Sequence, residues 1–338
     1  MQPLLSVENL TVNFHTYAGI VQAVRDVSFT LAKGEILGIV GESGCGKSVT
    51  ASALLGLIPA PPGEIAAGRI LFAGEDIAGM DEKALCKLRG NAVSMIFQDP
   101  MTSLNPVLTI GNQLKECFTT HQKLSGEEAA GRSADMLRLV GIPAPEVRLG
   151  QYPHQLSGGM RQRVMIAMAL AMNPRILIAD EPTTALDVTI QAQIIDLMKK
   201  LNGELGTAII LISHDLGVVA GLCERVLVMY AGQIVEAAPV AALFARPRHP
   251  YTLGLLDSVP RLDAVRSRLT SIDGHPPDLL APPDGCAFAP RCRFAMKVCE
   301  EAPSLFPVGQ DHFSRCWLAH PDCPRTLPIR AAKEVLPA

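Results

Sequence analysis

The sequence lacks any long apolar run. Its continuous hydrophobic stretches, such as residues 36–40, 176–179 and 208–212, are short, far below the about 20 residues that a membrane-spanning helix needs. The chain is therefore not expected to cross a membrane by itself. It also lacks an excess of one sign of charge: 30 Lys and Arg stand against 33 Asp and Glu, a formal net charge of -3. That balance carries no global electrostatic signature of nucleic-acid binding. The first ten residues, MQPLLSVENL, have no basic region followed by an apolar block, so no secretory signal is expected. A cytosolic setting, where thiols stay reduced, follows. Internal repeats and low-complexity tracts are missing too. What remains is a globular composition, 48 % hydrophobic and 19 % charged over 338 residues, enough for one large domain or two ordinary ones.

The pattern of elements predicts an α/β fold. Residues 4–14 and 24–31 alternate as β segments. Residues 36–40 form an unbroken apolar run, as suits a strand buried on both faces. A glycine-rich stretch and a helical pattern over 49–58 follow, which is the strand–loop–helix opening of a nucleotide fold. Residues 81–149 read as mainly helical, broken by a loop over 98–106. Further helices are expected over 160–171 and 188–201, and further buried strands over 176–179, 208–212 and 225–230. Residues 1–245 are expected to be the nucleotide-binding domain, with a helical subdomain at about 99–170. Near Ala245 the composition shifts. Pro-dense stretches such as His275-Pro276-Pro277 and Ala281-Pro282-Pro283 resist long regular elements, so 246–338 read as a separate, loop-rich module.

The run Gly41-Glu42-Ser43-Gly44-Cys45-Gly46-Lys47-Ser48 matches G-x-x-x-x-G-K-S/T in full. Its glycines let backbone N–H groups turn inward around a phosphate, and the helix opened by Val49 adds its N-terminal dipole. Lys47 should reach the β- and γ-phosphates, and the Ser48 hydroxyl should ligate Mg²⁺. A second apolar run, Ile176-Leu177-Ile178-Ala179, ends in Asp180 and Glu181. Isolated buried charge is costly, so these carboxylates call for a partner. Asp180 is the natural metal ligand, and Glu181 could orient or deprotonate an attacking water.

Leu156-Ser157-Gly158-Gly159-Met160-Arg161-Gln162-Arg163 precedes a helix upstream of Asp180. A serine and two glycines at a helix start make a second anion site. The segment resembles the signature motif of ABC-type ATPases, in which one subunit's signature closes on the nucleotide of the other. Gln98, in Met95-Ile96-Phe97-Gln98-Asp99-Pro100, resembles the glutamine loop that touches Mg²⁺ or the attacking water. Ala185-Leu186-Asp187 resembles the loop linking the two sites across the dimer. His214, in Ile212-Ser213-His214-Asp215, resembles the switch histidine at the γ-phosphate. Phe14 and Tyr17 are both candidates for stacking on adenine, and core packing is the alternative for either.

Longer stretches resemble the ATPase subunits of bacterial dipeptide/oligopeptide ABC importers. They are the segment from Phe97 to Pro106, Gln151-Tyr152-Pro153-His154-Gln155, the segment from Ala179 to Thr189, and Arg248-His249-Pro250-Tyr251-Thr252. The resemblance implies an ATP hydrolase at the cytoplasmic face of the inner membrane. It would be held there as a peripheral protein by two transmembrane permease subunits and paired with a second, non-identical ATPase. An extracytoplasmic peptide-binding protein would belong to the same complex, and nucleic acid would not. Nickel and glutathione importers use close relatives. A soluble ABC ATPase acting on nucleic acid or translation, and a nucleotide-gated scaffold without hydrolysis, are the other readings.

Five of the nine cysteines crowd the C-terminal stretch: Cys286, Cys292, Cys299, Cys316 and Cys323. A reducing setting disfavours disulfides, and the spacing lacks a C-x2-C knuckle. Zn²⁺, an iron–sulfur cluster or unligated thiols all remain open. Resemblance to the C-terminal extension of the importer family implies a [4Fe-4S] cluster on Cys286, Cys292, Cys299 and Cys316, with Cys323 spare. Cys86, Cys117 and Cys223, like Cys45 of the loop, read as ordinary small residues.

Overall fold

A computed structural model describes residues 2–99, 103–184, 187–258, 272–325 and 327. Two sheets organise it. The smaller is antiparallel, in the order β2-β1-β4-β5, from β1 (Leu5–Thr16), β2 (Gly19–Leu31), β4 (Gly63–Phe72) and β5 (Glu75–Asp76). The larger has eight strands. At its centre lie β3 (Ile36–Val40), β8 (Ala208–Ile212), β7 (Ile176–Asp180) and β6 (Val93–Ile96), with β9 (Arg225–Tyr230) on the other side of β3. All of these pair in parallel. Beyond β9 the sheet turns antiparallel through β10 (Gln233–Pro239), β12 (His312–Ser314) and β11 (Phe306–Gly309).

Successive side chains on a strand face opposite sides, and the central strands divide their residues accordingly. Leu37, Ile39, Ile176, Ile178, Ile210 and Ile212 face the antiparallel sheet. Ile36, Val40, Leu177, Ala179, Ile209 and Leu211 face the helices. Both faces are therefore dry, which is why these strands read as unbroken apolar runs.

The helices are α1 (Lys47–Leu54), α2 (Glu82–Leu88), α3 (Ile110–His121), α4 (Gly126–Leu139), α5 (Pro145–Leu149), α6 (Gly158–Leu170), α7 (Val188–Leu205), α8 (Leu216–Leu222), α9 (Val240–Ala245) and α10 (Pro250–Ser258). Helices α3 to α6 pack on one another around Leu114, Leu137, Val140 and Val164. Their starts carry explicit caps. Ser125 and Glu128 close a capping box on α4, and Thr109 caps α3.

Three features depart from the pattern reading. Residues 63–72 supply the third antiparallel strand, and the stretch read as mainly helical contains β6, a four-residue edge strand of the parallel sheet. The third departure lies in the C-terminal region. Residues 272–305 are indeed irregular, but Glu236 pairs with Ser314 and Ala237 with Phe313, so the main sheet runs on past residue 245. Helix α10 also buries Tyr251, Leu253 and Leu256. Among the described residues no helix is long and apolar enough to cross a membrane.

Candidate functional site

The phosphate loop leaves the end of β3 through residues that only glycine suits. At Gly46, with φ +102, a Cβ would stand 2.5 Å from the Ala23 carbonyl oxygen. At Gly41, with φ +154, it would stand 2.3 Å from that of Met229. Gly44 also takes positive φ, while Ser43 and Gly44 are exposed and Cys45 is buried. Lys47 opens α1. Its ammonium donates at 2.9 Å to the carbonyls of both Gly41 and Glu42, which curls the loop around it. Ser48 is exposed and Val49 half-buried.

The Ser48 hydroxyl hydrogen-bonds the Asp180 carboxylate, which joins the loop to the end of β7. Asp180 is 5 % exposed, and its Oδ1 has no hydrogen-bond partner. Burial pushes the Asp180 carboxyl above its ordinary range. The Ser48 hydrogen bond and the Lys47 ammonium oppose that shift, and the neighbouring Glu181 charge adds to it. A buried, unfilled carboxylate oxygen beside a serine hydroxyl is the oxygen-donor chemistry that Mg²⁺ takes.

Glu181 adopts φ 48, a strained conformation for a residue with a side chain, and its N–H donates to Ile212 at 2.9 Å. Three groups meet its Oε2. Gln98 Nε2 and Thr184 Oγ1 each donate at 2.9 Å, and His214 Nδ1 lies at 3.4 Å. Gln98 and His214, distant in sequence, thus form one cluster with the adjacent Asp180-Glu181 pair. Thr184 completes it without having been singled out, although it sits three residues past Glu181 in the same stretch.

Ser157, Gly158 and Gly159 stand elsewhere. Ser157 caps α6 by accepting the Met160 N–H at 3.3 Å, and Ser157 and Gly158 are exposed. A Cβ on Gly159 would lie 2.9 Å from Ile190 Cγ2. Ile190 belongs to the first turn of α7, which Asp187 caps by accepting the Ile190 N–H at 2.9 Å. The signature segment and Asp187 are therefore neighbours. Ala185 and Leu186 of the dimer-loop triplet, and Pro100 of the glutamine loop, lie outside the described residues. Phe14 is half-buried and packs against the core between the sheets, whereas Tyr17 is fully exposed at the β1–β2 turn.

Cys286, Cys292, Cys299 and Cys316 line one cavity together with His249, Phe288 and Trp317, and Cys323 is not part of its wall. Burial raises the Cys286 thiol. Burial first, and neighbouring thiols second, push Cys292 up to about 11 and Cys316 up to about 12. The four thiols meet, yet among the described residues no group of three or more His, Cys, Asp or Glu is arranged so as to hold a metal ion.

A strand, a glycine loop, a buried lysine and a two-carboxylate strand end define a phosphate-loop ATPase. Residues 24–184 match the ABC transporter family, and residues 235–299 match the oligopeptide/dipeptide transporter C-terminal region. The oligopeptide transport ATP-binding protein OppD of Bacillus subtilis is 56 % identical over 98 % of this chain and 93 % of its own. The dipeptide transport ATP-binding protein DppD of the same organism is 55 % identical over 94 % and 95 %. Among solved structures, the ATP-binding cassette MJ0796 in a post-hydrolysis state bound to ADP and Pi is 30 % identical with a TM-score of 0.63. It covers 70 % of this chain and 98 % of its own. The chain belongs to the ATP-binding subunits of oligopeptide/dipeptide ABC transporters, ATPases that use ATP and Mg²⁺.

Proposed function

We propose that the chain hydrolyses ATP to power the import of dipeptides and oligopeptides through a membrane ABC transporter. The observation that carries this reading is the convergence of Gln98, Thr184 and His214 on Glu181 Oε2, next to an Asp180 oxygen with no partner. Lys47 and the N–H groups of Gly44, Cys45, Gly46 and Ser48 hold the phosphates. Ser48 and Asp180, with Gln98, would hold Mg²⁺, whose charge would offset that of the phosphate oxygens. Glu181 orients the attacking water and takes its proton. His214 reaches the γ-phosphate from the same carboxylate. Tyr17, free of packing, stacks on adenine, and Phe14 stays in the core.

Ser157, Gly158 and Gly159 serve the nucleotide of a second, non-identical ATPase, and Asp187 links the two sites. Exposure of Ser157 and Gly158 supports that role. Two permease subunits hold the pair at the cytoplasmic face of the inner membrane, and a peptide-binding protein delivers substrate from outside. A cleft lined by Leu55, Phe97, Leu104, Met165 and Met168, with Phe97 47 % exposed, offers a permease an apolar seat. The test is transport by the full complex in proteoliposomes. Peptide should be taken up only with ATP on the side of the membrane that carries the ATPases, and peptide should stimulate hydrolysis. Stimulation by nickel or glutathione in place of peptide would reassign the substrate.

The thiols of Cys286, Cys292, Cys299 and Cys316 hold a [4Fe-4S] cluster within the extension 246–338. Support comes from the donor chemistry, four soft sulfurs on one cavity. A bound cluster would cross-link loops that have little regular structure of their own. Anaerobically prepared protein should contain iron and acid-labile sulfide, and should lose both on Cys292→Ser but neither on Cys323→Ser. One zinc without iron would replace the cluster by a zinc site.

A further inference from the structure

The phosphate loop carries an acidic residue at its second position, and that residue is held by the far end of the chain. The Glu42 carboxylate accepts two hydrogen bonds from one guanidinium, Arg291 Nη1 to Oε2 at 2.6 Å and Nη2 to Oε1 at 2.9 Å. Its backbone N–H donates to the Tyr251 hydroxyl at 2.8 Å, and its carbonyl accepts from Lys47 Nζ at 2.9 Å. Every polar group of Glu42 is therefore engaged, two of them by residues beyond 245.

Arg291 is itself fixed. Its side chain is 5 % exposed. Nε donates to the Asp273 carbonyl at 2.9 Å and Nη2 to that of Ile272 at 3.3 Å. The guanidinium sits 5.8 Å from the Tyr230 ring centroid, close enough for a cation–π contact. The Arg291 backbone N–H donates to the carbonyl of Phe288, whose ring packs edge-on against Tyr230 and tilted against Tyr251. A planar fork matched to a carboxylate, with both partners held in place, is the strong form of an ion pair.

Electrostatics give the pair its meaning. A carboxylate in a loop built to receive a polyanion repels that polyanion unless something cancels it. We propose that Arg291 is a positioning residue for ATP: it neutralises Glu42 and, with Tyr251, holds it aside so that the phosphate loop keeps its affinity for nucleotide. This rests on the reading of residues 41–48 as the ATP site and adds to it a residue from the C-terminal extension.

The test uses the full chain, and the full transporter complex for kinetics. Arg291→Met keeps most of the volume and removes the charge. It should weaken Mg·ATP binding, and raise KM for ATP, by roughly tenfold, with kcat within about threefold. Adding Glu42→Gln to Arg291→Met should restore affinity to within about threefold of wild type. A merely structural role would give the opposite, since a second lesion cannot repair the first. Arg291→Lys, which keeps the charge without the fork, should lie between wild type and Arg291→Met. If Arg291→Met fails to fold, Glu42→Gln alone still tests the proposal, because it frees the Arg291 cation beside the phosphates and should tighten Mg·ATP binding by roughly threefold or more. Unchanged affinity in folded Arg291→Met, failure of Glu42→Gln to rescue it, or Glu42→Gln alone binding no more tightly than wild type would overturn the proposal. Wild-type protein that binds no Mg·ATP would instead overturn the reading of the loop itself.

Discussion

Two carboxylates are buried in the large sheet, and they are treated in opposite ways. Glu236, in β10, is fully buried. Its Oε1 accepts the Arg248 N–H at 2.7 Å and lies 2.7 Å from His312 Nε2, and its Oε2 accepts the His249 N–H at 2.9 Å. Asp180, at the end of β7, is nearly as buried, but its Oδ1 has no partner. A protein that satisfies one buried carboxylate completely and leaves the other open is not short of donors. Buried polar groups are generally paired, so the filled oxygens mark a joint, and the unfilled one, beside the Ser48 hydroxyl, suits the proposed metal. Glu236 ties β10, β12 and the start of α10 together. Asp180, in the proposed reading, would hold Mg²⁺.

The largest effect should come from the open region. Glu181→Gln should keep ATP binding and leave stability nearly unchanged, while turnover falls by roughly 10²–10⁴-fold. Hydrolysis by the complex, with the partner ATPase's own site silenced, checks this. A rate within about twofold of wild type would remove Glu181 from the role of base.

Glu236→Ala should act on the other side of the comparison. It leaves His312 and two buried N–H groups without their acceptor. Breaking a buried, hydrogen-bonded charge site typically costs about 3–5 kcal/mol. Urea unfolding should show that loss, and the contact of β12 with β10 should open first in hydrogen exchange. Stability within about 1 kcal/mol of wild type would mean that the joint does not depend on Glu236.

Acid sharpens the contrast further. Burial pushes His249 down to about 3 from an ordinary 6.5. The unfolded chain takes up a proton that the folded chain refuses, so this contribution to stability is complete above about pH 6.5. It declines as pH falls toward 3, with about 2 kcal/mol gone by pH 5. Urea midpoints at pH 7.5 and pH 5 should show it, and His249→Gln should lose that part of the slope. An unchanged slope in the variant would put the acid sensitivity elsewhere.

What the sequence made legible follows the same division. The phosphate loop and the Asp180-Glu181 pair are contiguous, and their chemistry demands particular residues at fixed spacing, so both can be read from one line of sequence. Gln98, His214 and Ser157 needed the family resemblance, because a lone glutamine, histidine or serine at an element's end has ordinary structural uses. Glu236 gave no signal. A single glutamate in Gln233-Ile234-Val235-Glu236-Ala237 reads as an ordinary surface charge, and its burial comes from β12, three residues long and distant in sequence. Arg291 and Glu42 are 249 residues apart, and nothing in local periodicity joins them. Short strands such as β6 and β11 carry too few residues for a period to show. The parallel part of the sheet was legible because four of its strands, β3, β7, β8 and β9, are dry on both faces.

The smallest effect is also the most telling. Asp180→Asn removes a carboxylate whose burial is unfavourable, and Glu236→Gln disturbs one whose burial is fully compensated. Thermal unfolding of the two variants, each with and without Mg·ATP, compares the regions directly. Asp180→Asn should unfold at the wild-type temperature or slightly above it without nucleotide, and should lose the part of the ATP-induced rise that depends on Mg²⁺. Glu236→Gln should unfold lower without nucleotide and keep the whole Mg·ATP increment. If Asp180→Asn instead unfolds well below wild type and still gains the full increment, Asp180 is a structural joint like Glu236, and the open oxygen is not a metal site.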